Sequence, residues 1–315
     1  MPELPEVETT IRDLQTKVLS RTFIDVWTDF QKMTRLRQGF GLRLDEVGLR
    51  PDEVGGQVKN FEQFKKELKN KKIRKIWRRG KNIIFELSQG YSLLIHQKLT
   101  GHLLYDKWEE DKVNSYIHLK FFLDNGKVLA LSDLRKFAKV ELWKTKDLKK
   151  ELSSLGPEPL EKDFTFEKFR EVLKGKKAAK GEPRSPRFAG EAGQRRGKIK
   201  QILMNQEIIA GIGNIYSDEV LWKAKVHPFK DVSRLTEKEL KEIYQALQEI
   251  LRKAIELRGE SISDYRDPAG RKGRFDEMRK VYRRGGEKCS RCGIKIKRAK
   301  IGGRSAHFCP VCQKI

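Results

Sequence analysis

The chain has four cysteines, and all of them fall in its last 27 residues, as Cys289-x-x-Cys292 and Cys309-x-x-Cys312 with sixteen residues between the pairs. Two C-x-x-C pairs at this spacing form a four-thiolate zinc signature. The rival reading is two disulfides, which a cytosolic, reduced chain would not keep. A segment this short cannot bury enough apolar surface to fold alone, so its structure depends on the metal. One structural Zn2+ is the expected cofactor, held by Cys289, Cys292, Cys309 and Cys312. Four cysteines leave no open coordination position for catalysis.

At 315 residues the chain has room for about two domains of ~100–200 residues each. Charge is its unusual property: 69 Lys and Arg face 44 Asp and Glu, a formal +25. A protein this basic meets a polyanion, most often nucleic acid, unless the charge is only a solubilising surface. A membrane is not the expected partner. No apolar run approaches the ~18 residues of a span, and the basic residues are spread along the chain, not clustered beside an amphipathic anchor. Met1–Thr10 lacks the basic stretch and apolar core of a secretory signal.

Apolar residues at Val7, Ile11, Leu14 and Val18 predict a helix over 6–19, with Pro5 near its start and Glu6 and Glu8 in its first turn. Asp29–Lys59 shows no clear periodicity and reads as a loop or surface insertion. Strand-like runs follow at 73–77, 82–87, 92–96, 116–123, 128–132 and 139–143, with Asp124-Asn125-Gly126 as a hairpin turn. Leu155–Leu160, with two prolines, marks a joint. Helical patterns occupy 166–173, 198–205, 216–223 and 236–258, and 174–197 is a basic low-complexity stretch expected to be disordered. The fold class expected is α+β and multi-domain. A helix plus antiparallel β-sandwich spans 1–150, a helical domain 151–284 and the zinc finger 285–315.

The amino terminus, Met1-Pro2-Glu3-Leu4-Pro5-Glu6, carries candidate chemistry. Loss of the initiator methionine exposes a secondary amine at Pro2. An α-amino group has a reference pKa of ~7.7–8.0, against ~10.4 for lysine, so a useful fraction is unprotonated at neutral pH. Attack of such an amine on a sugar C1′ gives an iminium, an electron sink that acidifies the neighbouring carbon and permits elimination of phosphates. Glu3 and Glu6 lie near enough in sequence to move protons. The same string also reads as a plain helix start, and spacing alone favours that reading.

The string Pro2–Glu8 resembles the amino-terminal signature of the formamidopyrimidine-DNA glycosylase family. Further resemblances follow in family order. Arg78-Arg79-Gly80-Lys81 is similar to the family's basic motif ahead of a strand. His96-Gln-Lys-Leu-Thr-Gly101 is similar to its His-Leu-Gly-Met-Ser-Gly segment, and Asp133-Leu-Arg-Lys-Phe137 to its Asp-Pro-Arg-Arg-Phe segment. Leu155–Leu160 is similar to its interdomain motif, Gly211–Tyr216 to the turn of its helix-two-turn-helix, and the four cysteines to its zinc hairpin.

The resemblance implies a helix-two-turn-helix in the second domain and a zinc-bound β-hairpin in the third. It implies Pro2 as nucleophile, Glu3 as the acid that opens the sugar, and Glu6 as a supporting carboxylate near the lesion. Lys81, His96, Lys200, Asn214 and Arg304 would meet DNA, with Arg304 gripping the phosphates that flank the lesion and zinc holding that arginine in place. Arginine's planar fork suits phosphate, and a glycine-rich turn at Asn214 lets backbone amides approach an anion. Leu99, Arg135 and Phe137 would fill the gap left by an extruded base, with Leu99 where the family segment has methionine. A lesion-capping loop is expected near 261–274, with Ser261, Ser263, Arg271 and Lys272.

The implied function is base-excision repair of oxidised purines, formamidopyrimidines and 8-oxoguanine, in duplex DNA. Strand cleavage would follow by β,δ-elimination through a Pro2 Schiff base. An endonuclease VIII-type enzyme for oxidised pyrimidines is the first alternative, and a non-catalytic zinc-ribbon DNA-binding protein the second. The expected partner is damaged double-stranded DNA, met by a monomer without a small-molecule cofactor, in a prokaryote-like cytoplasm and associated with the nucleoid.

Overall fold

The computed structural model describes residues 1–37, 60–175, 196–262 and 264–315. Most of the two expected insertions, and Ser263 of the expected loop, lie outside the described residues. The chain divides into two compact units: Met1–Ser153 with Arg258–Arg274, and Ser154–Leu257 with Phe275–Ile315. This differs from three contiguous segments, because the stretch after the long helix returns to the first unit and the zinc-finger residues belong to the second.

In the first unit, α1 (Leu4–Val18) begins two residues earlier than the apolar stripe alone suggests. Pro5 is tolerated in its first turn, where a backbone N–H has no helical partner to lose. Two sheets follow. One runs β1 (Phe23–Thr28), β7 (Ile117–Leu123), β8 (Val128–Ser132), β6 (His102–Tyr105), all antiparallel. The other runs β2 (Thr34–Arg37), β9 (Lys139–Lys144), β5 (Tyr91–His96), β4 (Asn82–Leu87), β3 (Ile73–Arg79). It is antiparallel except for β2, which lies parallel to β9. Phe23, Val26, Phe121 and Leu131 of the first sheet share one apolar cluster with Ile83, Phe85, Ile95 and Leu142 of the second. Val7, Ile11 and Leu14 of α1 and Phe61, Phe64 and Leu68 of α2 (Asn60–Leu68) join it. The sandwich thus stands as expected, with β2 falling inside the stretch read as loop. Four residues are too few to show a period of two, and β6, equally short, was missed for the same reason.

After α3 (Thr145–Leu152), the second unit holds α4 (Phe166–Lys174), α5 (Ile199–Met204), α6 (Asn214–Lys223), α7 (Glu237–Glu256) and the hairpin β10 (Lys297–Ile301)–β11 (Arg304–Phe308). Thr236 and Glu239 close a capping box on α7. Between α5 and α6 the Gln206 side chain receives the Gly211 N–H at 2.9 Å and donates to Met204 O and Ile212 O, stapling the turns together. Gly156 runs against this loop so closely that a Cβ would sit 2.5 Å from Ile208 C. Among the described residues, no helix is long and apolar enough to cross a membrane.

Candidate active site

The amino terminus is buried in the first unit. Pro2 has no appreciable exposure, and Glu3 and Glu6 are 2% and 1% exposed. Burial pushes the Met1 α-ammonium below its ordinary value, against the raising influence of Glu3 and Glu6, while the nearby Lys81 lowers it further. Glu6 is a bracket. Its Oε2 accepts the Glu3 N–H at 2.7 Å and its Oε1 the Glu260 N–H at 2.8 Å. Its backbone oxygen accepts the Tyr265 hydroxyl at 3.0 Å. Gly259, at φ +80°, packs so near that a Cβ would lie 2.7 Å from Glu6 Oε1. One carboxylate thereby ties the amino terminus to the segment that follows α7.

That segment is locked at its stems. Arg258 holds Asp13 and the fully buried Asp267, and Asp267 also accepts N–H groups from Ala269 and Arg271. Arg266 grips Asp111 through two nitrogens at 3.0 and 2.8 Å. Tyr105 and Glu109 donate to Pro268 O and Ala269 O, both at 2.8 Å. Ser261 accepts the Gly273 N–H at 2.8 Å, and the Arg271 side chain is committed to Asp267. Sequence reading placed this loop but missed Gly259, Glu260 and Tyr265. A Gly at the end of a helix was the available signal.

Lys81 follows the left-handed Gly80 in the β3–β4 turn and is buried. Arg78, in the same motif, pairs with Glu8 at 3.1 Å. His96 ends β5. Its Nδ1 accepts the Lys98 N–H at 3.0 Å, which leaves Nε2 as the protonated nitrogen. Burial and the charges of Lys98 and Lys81 push its pKa down to about 3, so the ring is neutral. The 133–137 loop hangs on buried Asp133, which binds the Thr100 hydroxyl and accepts the N–H groups of Arg135 and Ala138 at 3.3 and 2.7 Å. The Thr100 link brings Leu99 beside this loop. Phe137 is 50% exposed, with the Arg135 guanidinium 4.6 Å from its ring centroid, and Leu99 is half-buried. Phe137 therefore lies outside the apolar core of this unit.

In the second unit, Arg304 opens β11 after a Gly302-Gly303 turn and is exposed, its side chain without a protein partner among the described residues. Asn214 heads α6, with its Oδ1 buried and unpartnered among the described residues. Lys200 departs from expectation. It is fully buried and its ammonium is held by Asp218, Ser305 O and Asn214 O, which corrects its reading as an open phosphate contact.

The four cysteine sulfurs lie within 4.8 Å of one another. All four are free cysteines, and the Cys292 and Cys309 sulfurs stand 3.4 Å apart, well beyond a disulfide bond. With a Zn–S length of ~2.3 Å, tetrahedral thiolates sit ~3.8 Å apart, and the set fits one zinc ion.

Three family models match: the formamidopyrimidine-DNA glycosylase N-terminal domain over residues 1–140, its H2TH domain over 155–266, and a zinc finger found in FPG and IleRS over 286–315. Relatives named formamidopyrimidine-DNA glycosylase include one from Pelotomaculum thermopropionicum, 37% identical with 100% of both chains covered. Another, from Heliobacterium modesticaldum, is 35% identical with the same coverage. A solved structure of a Lactococcus lactis FPG mutant with Fapy-dG-containing DNA matches at 34% identity and TM-score 0.78, covering 100% of both chains. A complex of the Lactococcus enzyme with abasic-site DNA gives TM-score 0.77 at 34% identity, covering 99% of this chain and 100% of that one. At such identity over the whole length, with its domains in the same order, the chain belongs to the formamidopyrimidine-DNA glycosylase family.

Proposed function

We propose that this protein excises oxidised purines, formamidopyrimidines and 8-oxoguanine, from duplex DNA and then cuts the strand at the abasic site. The observation that carries the reading is a buried amino terminus flanked by Glu3, Glu6 and Lys81, where burial lowers the proton affinity of the terminal amine. With Met1 removed, the Pro2 nitrogen attacks C1′ of the damaged nucleotide and the N-glycosidic bond breaks. Glu3 protonates the ring oxygen, the sugar opens, and the nitrogen, having lost its proton, becomes an iminium. Loss of a C2′ proton then expels the 3′ phosphate, and a second elimination expels the 5′ phosphate. Glu6 holds the amine's backbone in place. Lys81, His96, Asn214 and Arg304 contact phosphates, and Leu99, Arg135 and Phe137 occupy the space of the extruded base.

The DNA complexes of the Lactococcus neighbour support the substrate class, and one of them holds an oxidised pyrimidine. Oxidised pyrimidines are therefore a second substrate class to assay. We place the protein, as a monomer, in the bacterial cytoplasm at the nucleoid. Borohydride reduction during reaction with lesion duplex is expected to trap a covalent complex that Pro2→Gly sharply reduces. Full trapping by Pro2→Gly moves the nucleophile elsewhere and overturns the mechanism.

A further inference from the structure

We propose that Lys98 and Lys139 form a further phosphate-binding subsite beside His96 that takes a backbone phosphodiester of the DNA. The proposal rests on the DNA reading above. Its basis is placement. His96 at the end of β5 pairs directly with Lys139 at the start of β9, and facing residues of antiparallel strands lie ~4.5–5.5 Å apart at Cα. Lys98 comes two residues after His96 at φ +55° and sends its N–H back to His96 Nδ1 at 3.0 Å. That backbone conformation is free to glycine and strained for lysine, and the family segment quoted above carries glycine at this place.

The positive charge stands at the ends of two inner strands, β5 and β9. Lys98 and Lys139 are half-buried, and neither has an ion-pair partner among the described residues. The carboxylate that acts on Lys98 is Glu141, and it is committed to Arg37 at 2.7 Å and to the Trp143 indole at 3.3 Å. Lys139 and burial both push the Lys98 ammonium downward, and Lys81, Lys98 and Lys139 all act on His96, the imidazole among them. Two like charges placed on either side of His96, one on a strained backbone, are retained where an external anion compensates them. Neutral His96 offers that anion its Nε2–H without adding charge.

The test uses the full chain and a duplex bearing a non-cleavable tetrahydrofuran abasic analogue, with affinity measured across salt concentration. Lys98→Gly is expected to be at least as heat-stable as the parent. It should bind about three- to tenfold more weakly at low salt, with a log K against log[salt] slope shallower by ~0.9, one phosphate contact. Lys139→Gln should weaken binding in the same way, the double variant should lose no more than ~0.9 of slope in total because one phosphodiester is held, and Lys98→Arg should lose none. Unchanged slopes in both Lys98→Gly and Lys139→Gln, with parental binding intact, overturn the proposal. So does loss of inorganic phosphate binding without loss of duplex affinity, which would make the subsite one for free anions. Failure of the parent protein itself to bind or be trapped on lesion DNA removes the functional reading instead.

Discussion

Lys200 and Asp218 form an ion pair in which neither side chain has any solvent exposure. The second carboxylate oxygen of Asp218 accepts both the N–H and the Nδ1 of His307 at 3.0 Å, and the Lys200 ammonium also binds Ser305 O at 3.0 Å. Strand β11 is thereby pinned to α5 and α6 at the residue next to Arg304. The candidate zinc ligand Cys309 lies beyond the other end of the strand, five residues from Arg304, about 16 Å along an extended chain. This buried pair fixes the strand at the residue next to the arginine.

Removing one partner of that pair leaves the other buried and uncompensated. Asp218→Ala is expected to cost about 3–5 kcal/mol of stability, measured by denaturant unfolding. The double change Lys200→Met with Asp218→Leu should cost less than Asp218→Ala alone. Equal losses in both would mean the charges themselves do not matter.

Glu3 is buried at the head of α1, one residue from the proposed nucleophile. Glu3→Gln keeps the shape and removes the acid. Base release from intact lesions should fall about 10²- to 10⁴-fold while affinity for abasic-analogue DNA stays near parental. Single-turnover assays check the first and equilibrium binding the second.

Gln97 is 1% exposed, and both its amide nitrogen and its oxygen lack partners among the described residues. The family segment carries leucine there. Gln97→Leu removes two unsatisfied polar atoms, each worth ~1–3 kcal/mol when buried without a partner. A rise of several degrees in Tm is expected by calorimetry, and a fall would show that the amide is satisfied in solution.

His96 is neutral in the folded protein because its pKa is pushed to about 3, and burial moves His102 and His227 in the same direction. The unfolded chain, with histidines near ~6.5, takes up more protons below that pH. Stability should therefore fall as pH drops from ~6.5 towards 3. His96→Gln should flatten part of that slope in pH-resolved unfolding curves. DNA binding should show no His96 protonation step between about pH 5 and 8.

Periodic and spaced features were legible beforehand. The stripe of α1, the strand pairs around Asn125-Gly126 and the zinc cysteines each depend on neighbours a few residues apart, and local geometry dictates them. The short strands β2 and β6 were not legible, because partners supplied by distant chain, not their own pattern, make them strands. Among site residues, Pro2, Glu3, Lys81 and Arg304 stood out by motif. Lys200 was misread because its carboxylate partner, Asp218, is eighteen residues away, and sequence does not say which lysine has one.

The sequence by itself carried the resemblance to the family, the spacing of the zinc ligands and the candidate amine and carboxylates of the first residues, since motif and spacing are local properties. Tertiary structure alone decided that Glu6 is a bracket to Glu260, that Lys200 is enclosed, and that Lys139 pairs across the strands with His96, two residues before Lys98. Burial and pairing are properties of what the folded chain brings near a group, and no single stretch of sequence contains them.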